Sequence, residues 1–301
     1  MRRMGMVPAT ALLLAAGCGE AGAGGKSAGD KPVQWCEIAE SGVTLPSQVR
    51  ETSGAALDPR GGGVFWSHGD SGSPPELFAL GPNGEPQATL TLTGARNQDW
   101  EDVSLGACDG GQCLYVADIG DNGKDKKDPV ALYRVPLPAA AGEHKARADR
   151  FQARYPGGPR DTEAMFTLPD GSIYLINKGQ SEPIELYRWP TPLQPGPVDL
   201  VRVRELAPRA GQLGDRVTGA GASPDGTWVA VRTYSTLALY RTAELLGSGG
   251  PAYTLDLAPL DEAQGEAVAM GPGGVILLTS EGAQHHVPAR ATWLRCSLPA
   301  S

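Results

Sequence analysis

Among the 34 acidic residues of this 301-residue chain, a few recur at related places and point to chemistry. Glu101 with Asp102, Glu163 and Glu266 each stand at the start of a short apolar run, and Ser53 and Thr218 hold the same place in two others. A turn and a second apolar run follow, ending in polar residues: His68 with Asp70, Asp118 with Asp121, Asn177 with Lys178, Arg232, and Glu281. Carboxylates crowded at low dielectric repel one another unless a proton, a basic group or a cation intervenes. A hard ion with oxygen ligands, calcium foremost, suits Glu101, Asp102, Glu163 and Glu266. In a metal-assisted reaction His68 or a carboxylate would activate water, and Lys178 with Arg232 would stabilise developing negative charge. Asp70, Asp118, Asp121, Asn177 and Glu281 would then contact the ligand. The same acids have a plainer use as acceptors for backbone N–H groups at strand starts, and Asp70 and Asp121 also fall in turn-forming sequences. His68 equally suits a packed, hydrogen-bonded site. The chain has no GxSxG elbow, phosphate-binding loop, dinucleotide fingerprint or HExxH helix, so no nucleotide or organic cofactor is indicated.

These residues need elements that bring them together, and an internal repeat supplies them. Five segments share a small or acidic start, an apolar run, a Gly-containing turn and a second apolar run, with Gly54, Asp102, Ala164, Gly219 and Ala267 at equivalent places. The spacings of 48, 62, 55 and 48 residues match propeller blades rather than helical repeats. A third strand follows in each, from Glu76, Val130, Ile184, Leu237 and Ala291, and a fourth in the first four, for example Gln87–Leu92 and Tyr253–Leu257. The fifth repeat runs out of chain. Val33–Ile38 at the N-terminus can fill that place beside the strand holding Cys296, which hides the sheet edge and closes the ring. The expected fold is all-β, a propeller of five four-stranded blades, with six as the alternative if a long repeat conceals another. First-strand starts and second-strand ends then share one axial face.

The opening Met1-Arg2-Arg3, a leucine run and Ala15-Ala16-Gly17-Cys18 read as a signal peptide over 1–17. Small residues before a cysteine resemble the bacterial lipoprotein box, which implies cleavage before Cys18 and lipid on its thiol. Ordinary secretory cleavage near Ala16 is the alternative. Residues 18–32 make a flexible tether and 33–301 the folded domain. Export permits disulfides. With Cys18 lipidated, Cys36, Cys296, Cys108 and Cys113 remain, pairing as Cys36–Cys296 and Cys108–Cys113 across the Asp-Gly-Gly-Gln turn; zinc is disfavoured because paired CxxC spacing is missing. The 41 Gly and 26 Pro argue against a helical protein, and the net charge of −8 against a nucleic-acid partner.

His68-Gly69-Asp70-Ser71-Gly72, Asp99-Trp100-Glu101-Asp102 and Asp118-Ile119-Gly120-Asp121-Asn122 resemble a bacterial family of exported lipoprotein propellers, over roughly residues 50–290. More loosely the chain is similar to phytase-related esterase-like and gluconolactonase-type propellers, whose central carboxylates hold calcium. The resemblance implies the fold more firmly than an activity. The expectation is a monomeric cell-envelope lipoprotein, on the periplasmic or surface side, touching the membrane only through its lipid. Its polar axial face would bind a small molecule, a metal ion or an envelope protein. The alternative is a calcium-assisted hydrolase of phosphoesters, esters or lactones.

Overall fold

The second strand of each repeat is mostly buried along an apolar run that ends in polar residues: Phe65–Gly69, Gly111–Asp118, Ile173–Asn177, Trp228–Thr233 and Val275–Glu281. A strand buried on both faces reads this way, and here each lies between two neighbouring sheets. The computed structural model, which describes residues 35–121 and 128–299, arranges five antiparallel sheets as a five-bladed β-propeller. The signal segment 1–17, Cys18, the tether and Val33 lie outside the described residues, as does Asn122.

Alternating side chains along each second strand serve opposite interfaces. Leu114 and Val116 pack with Trp66, Leu77 and Leu90 of blade one. Their neighbours Tyr115 and Ala117 pack with Met165, Leu175 and Tyr187 of blade three. The same exchange continues around the ring, through Phe166 against Val229, Leu239 against Ile276, and Leu277 against Phe65. Every blade is therefore held by apolar contact with two others rather than by one central core, and the last interface closes the ring.

In order from the axis, blade one comprises Thr52–Leu57, Phe65–Gly69, Glu76–Leu80 and Pro86–Thr93. Blade two comprises Trp100–Cys108, Gly111–Asp118, Val130–Pro136 and Asp149–Arg154, and blade three Thr162–Thr167, Ile173–Asn177, Ile184–Trp189 and Val201–Ala207. Blade four comprises Val217–Ala222, Trp228–Thr233, Thr236–Arg241 and Tyr253–Asp256. Blade five takes Gln264–Met270, Val275–Glu281 and Arg290–Cys296, and its outer strand is the N-terminal Cys36–Thr44. That closing strand is longer than the sequence indicated and bulged, running to Thr44 with Cys36 opposite Cys296. Both expected disulfides, Cys36–Cys296 and Cys108–Cys113, are formed, which places folding in an oxidising compartment.

No sixth blade exists among the described residues; the surplus length of the second and third repeats has another use. After its third strand, blade two sends Gly142–Arg147 to pair in parallel along the outer strand of blade one. Blade three likewise sends Pro197–Asp199 to the outer strand of blade two. Two blades thus carry a fifth strand, which covers an otherwise open edge. No described helix is long and apolar enough to cross a membrane.

Candidate functional site

Each inner strand begins with a bulge. Its register against the second strand breaks between Thr52 and Ala55, Trp100 and Asp102, Thr162 and Ala164, Val217 and Gly219, and Gly265 and Val268. A bulge leaves a residue out of the ladder and re-aims side chains. In every blade a residue in that gap is the one the repeat singled out: Ser53, Glu101, Glu163, Thr218 and Glu266, all buried. They form a ring tied across blade boundaries. Ser53 Oγ donates to Glu101 O at 2.9 Å and Glu101 Oε2 at 3.3 Å, and Thr218 Oγ1 donates to Glu266 O at 2.9 Å.

Three carboxylates converge beside the ring where blades one and two meet. One oxygen each from Asp70, Asp99 and Glu101 lies within 4.8 Å of the others. Asn97 secures this approach: its Nδ2 donates to Gly69 O at 2.9 Å and Asp70 O at 3.0 Å, while its Oδ1 accepts from Trp100 N at 3.0 Å. Asp118 Oδ1 accepts from Asp99 N at 3.0 Å, fixing the same segment from the second strand. Glu101 Oε1 is buried and has no hydrogen-bond partner. It lies over Gly120, where a Cβ would overlap it and crowd Asp99 Oδ2, so this approach requires glycine. Burial, then the charges of Glu163, Asp70 and Asp99, holds the Glu101 carboxyl well above the usual range. Burial raises Asp70 as well.

Of the remaining ring members, Glu163 meets a cation. Lys178 Nζ donates to Glu163 Oε1 at 2.6 Å. Burial opposes the Lys178 charge, but Glu163 and Asp161 outweigh it and hold the ammonium above its ordinary value. Burial pushes Glu163 up to about 7 despite this partner. On the far side Gln264 Nε2 donates to Glu266 Oε1 at 2.7 Å. Burial and the Glu163 charge raise Glu266 well above its usual value, and burial with Asp70 raises Glu281 to about 7. Glu281 Oε1 is buried without a partner. The Tyr234 phenol is raised by burial and by Glu266, with Lys178, Glu163 and Glu281 also acting on it.

Other expected site residues have different surroundings. Asp102 points away from the three-carboxylate set: Oδ1 accepts from Val103 N and Oδ2 from Met165 N, both at 2.8 Å, linking blades two and three. Arg232 reaches Ala267 O at 3.0 Å, Thr279 O at 2.9 Å and the Glu262 carboxylate, stapling blade four to blade five. Its side chain is fully buried. Asn177 closes its own loop, donating to Pro183 O at 2.9 Å and accepting from Glu185 N at 2.6 Å. Asp121 donates its backbone N–H to Asp161 Oδ1 at 3.2 Å.

His68 is fully buried, with Nδ1 3.0 Å from Gly69 O and its ring edge-on to Trp100 at 5.6 Å. A Cβ on Gly54 would stand 2.6 Å from Nε2. Burial lowers its pKa to about 4, so the ring is neutral at neutral pH. Asp99, Asn97, Gly120, Gln264 and Tyr234 were not singled out as site residues. Asp99 had a signal, since it precedes Glu101 by two positions; Tyr234 occupies the place of Lys178 one blade further on.

The sequence matches no described protein family and no curated protein. Similar folds occur among solved structures. The PQQ-bound aldose sugar dehydrogenase from Streptomyces coelicolor aligns with a TM-score of 0.50 and 10% identity, over 86% of this chain and 97% of that one. A glucose dehydrogenase aligns at 0.48 and 13% identity, over 88% and 99%. The first likeness is one of propeller fold alone.

Proposed function

We propose that this propeller binds a divalent cation, calcium by its chemistry, at Asp70, Asp99 and Glu101, and holds a small ligand over it at the acidic end of the axis. One observation carries the reading: three carboxylates converge on a place where Glu101 Oε1 is buried without a partner, over a glycine that admits no side chain. An unpaired carboxylate oxygen removed from water is costly, and a hard cation removes that cost while taking several oxygen ligands at once. Glu163 is already neutralised by Lys178. The N-terminal sequence supports an exported form lipidated at Cys18, a tethered binding protein of the cell envelope.

PQQ, bound in the Streptomyces coelicolor dehydrogenase, is a poor match for these residues. An anionic cofactor would meet Asp70, Glu101, Glu266 and Glu281, and the guanidinium of Arg232 already donates to Ala267 O, Thr279 O and Glu262, with its Nε left without a partner. Metal-assisted hydrolysis is the second reading, favoured by Glu281, whose carboxyl is held near neutrality beside the ring and so suits proton transfer. His68 is buried against Trp100, so a carboxyl group would have to serve as base.

The test is a calorimetric titration of calcium-free protein with calcium. Binding of one ion per chain that falls at least tenfold in both Glu101→Gln and Asp99→Asn supports the reading. Binding that is absent in the parent protein, or unchanged in both variants, overturns it.

A further inference from the structure

The end of the propeller opposite the acidic ring holds a cavity of about 390 Å³ at the seam between blades five and one, the size of a small-molecule site. Its wall comes from Leu57, Val64 and Pro82 of blade one and from Pro272, Val275 and Trp293 of blade five. Leu57 ends the inner strand that begins beside Ser53, and Val275 begins the strand that ends in Glu281, so the cavity lies at the far end from the acids. The wall is fastened across the seam: Trp293 Nε1 donates to Pro82 O at 3.0 Å, and its ring stands edge-on to Phe65 at 6.1 Å. The rim is the run Gly61-Gly62-Gly63, all at positive φ, and a Cβ on Gly63 would stand 2.9 Å from Pro82.

The lining suits a hydrocarbon. Its one buried carboxylate, Asp58, is taken by Arg60 and by Trp66 Nε1 at 3.0 Å, and the Trp293 indole is satisfied by Pro82. Leu57, Val64, Pro82 and Val275 remain half-buried, and covering their apolar surface favours an apolar occupant. The cavity adjoins a second of about 400 Å³ on the axis, with Leu57, Gly271 and Pro272 lining both. A flexible chain can follow two adjoining spaces, whereas a rigid ring system fills only one. The mouth differs in character. Glu40 and Arg295 line it, both are exposed, and among the described residues neither is held in an ion pair. Glu40 stands opposite Trp293, and Arg295 lies two residues further along the same strand, which separates the two charges by about 7 Å in the strand direction. Glu37, opposite Arg295, is outside the lining. A head group of one sign meets one attractive and one repulsive charge here; a zwitterion meets two attractive ones.

The N-terminal chain joins the domain at this same end, with Cys36 opposite Cys296. Cys36 follows Cys18 by 18 positions, at most about 60 Å of extended chain. With Cys18 lipidated, as the N-terminal sequence supports, the mouth stays within reach of membrane lipids. We propose that this cavity binds a zwitterionic amphiphile with a single hydrocarbon chain, taken from the surrounding membrane. The chain lies against Trp293 and the two prolines, the anionic part of the head meets Arg295, and its ammonium meets Glu40. This site is independent of the cation set.

The test uses the whole mature protein in two forms, lipidated in nanodiscs and as Cys18→Ser in solution, with lysophosphatidylcholine as the probe. Calorimetry on the Cys18→Ser form, below the micelle concentration, should show saturable binding of one molecule per chain. That binding should be about tenfold or more tighter than for an alkyl sulfate, an alkyltrimethylammonium or an alkyl glucoside of equal chain length. Val275→Trp, which fills the cavity, should abolish binding of all four. Glu40→Gln and Arg295→Gln, at exposed positions that leave the core intact, should narrow the preference for the zwitterion while chain-dependent binding persists. A photoactivatable lysophosphatidylcholine should cross-link to residues 57–64 and 272–275 in both forms. Binding that is absent or unsaturable, that survives Val275→Trp, or that favours a probe of another charge overturns the site. Cross-linking confined to the Cys18→Ser form assigns the cavity to the protein's own lipid and overturns the membrane source.

Discussion

Lys178 Nζ lies 2.6 Å from Glu163 Oε1, with both side chains nearly buried, and among the described residues no other acid of the ring has a cation at such a distance. This pair divides the ring. It neutralises Glu163 internally, whereas Glu101 keeps a buried carboxylate oxygen without a hydrogen-bond partner. Removing one member of a buried pair strands the other, so Lys178→Met should destabilise the protein by about 3 kcal/mol in chelator. Pairing it with Glu163→Gln should restore most of that loss. Urea denaturation of the single and double variants checks both statements.

The pH dependence follows from Glu163 and Glu281, each raised by burial from 4.5 to about 7. A carboxyl whose folded pKa is raised favours the folded state most while protonated. Its contribution is complete below about 4.5 and is lost as the pH climbs through about 7. In chelator the melting temperature should therefore fall between pH 5 and pH 8. Saturating calcium should flatten this decline, because the added charge offsets the ring's repulsion. A melting temperature that rises over that interval in chelator would contradict the assignment.

Asp102 separates structure from binding. Its two oxygens each accept a backbone N–H, one from Val103 and one from Met165. Asparagine keeps one acceptor and turns an amide donor towards the other N–H. Asp102→Asn should cost about 2 kcal/mol, the penalty of leaving a buried donor unsatisfied. Its calcium affinity, measured on the folded fraction, should match that of the parent protein.

The two disulfides should differ in weight. Cys36–Cys296 spans 260 residues and closes the ring, whereas Cys108–Cys113 spans five and pins one hairpin. Loop-closure entropy assigns roughly 5 kcal/mol to the first and roughly 2 kcal/mol to the second. Paired Cys→Ser replacements, compared by denaturant midpoint, should preserve that order.

Much of the fold is legible in the sequence because blade packing imposes a repeated pattern. A second strand squeezed between two sheets must be apolar on both faces, as in Leu114-Tyr115-Val116-Ala117, and the incomplete last repeat calls for an N-terminal strand. The added edge strand Gly142–Arg147 is not legible: it is polar, half-exposed, and paired with a blade other than its own. At the site, the positions of Glu101, Glu163 and Glu266 emerge from the repeat, but their orientation depends on bulges that hydrophobic pattern does not encode. Glu101 and Asp102 are adjacent acids with opposite fates, one left with an unpaired oxygen and the other tied to two backbone donors. Arg232 reads in sequence as a cation that stabilises developing negative charge, yet the neighbouring blade supplies carbonyls that its guanidinium holds.

Terbium luminescence tests the central claim most directly. Trp100 lies between Asp99 and Glu101 in sequence and is fully buried, so excitation of tryptophan should sensitise a lanthanide held by those carboxylates. The account predicts saturable emission at one ion per chain, displaced by calcium and lost in Glu101→Gln while Asp102→Asn retains it. Emission that is absent, or that survives Glu101→Gln unchanged, would contradict a cation site at Asp70, Asp99 and Glu101.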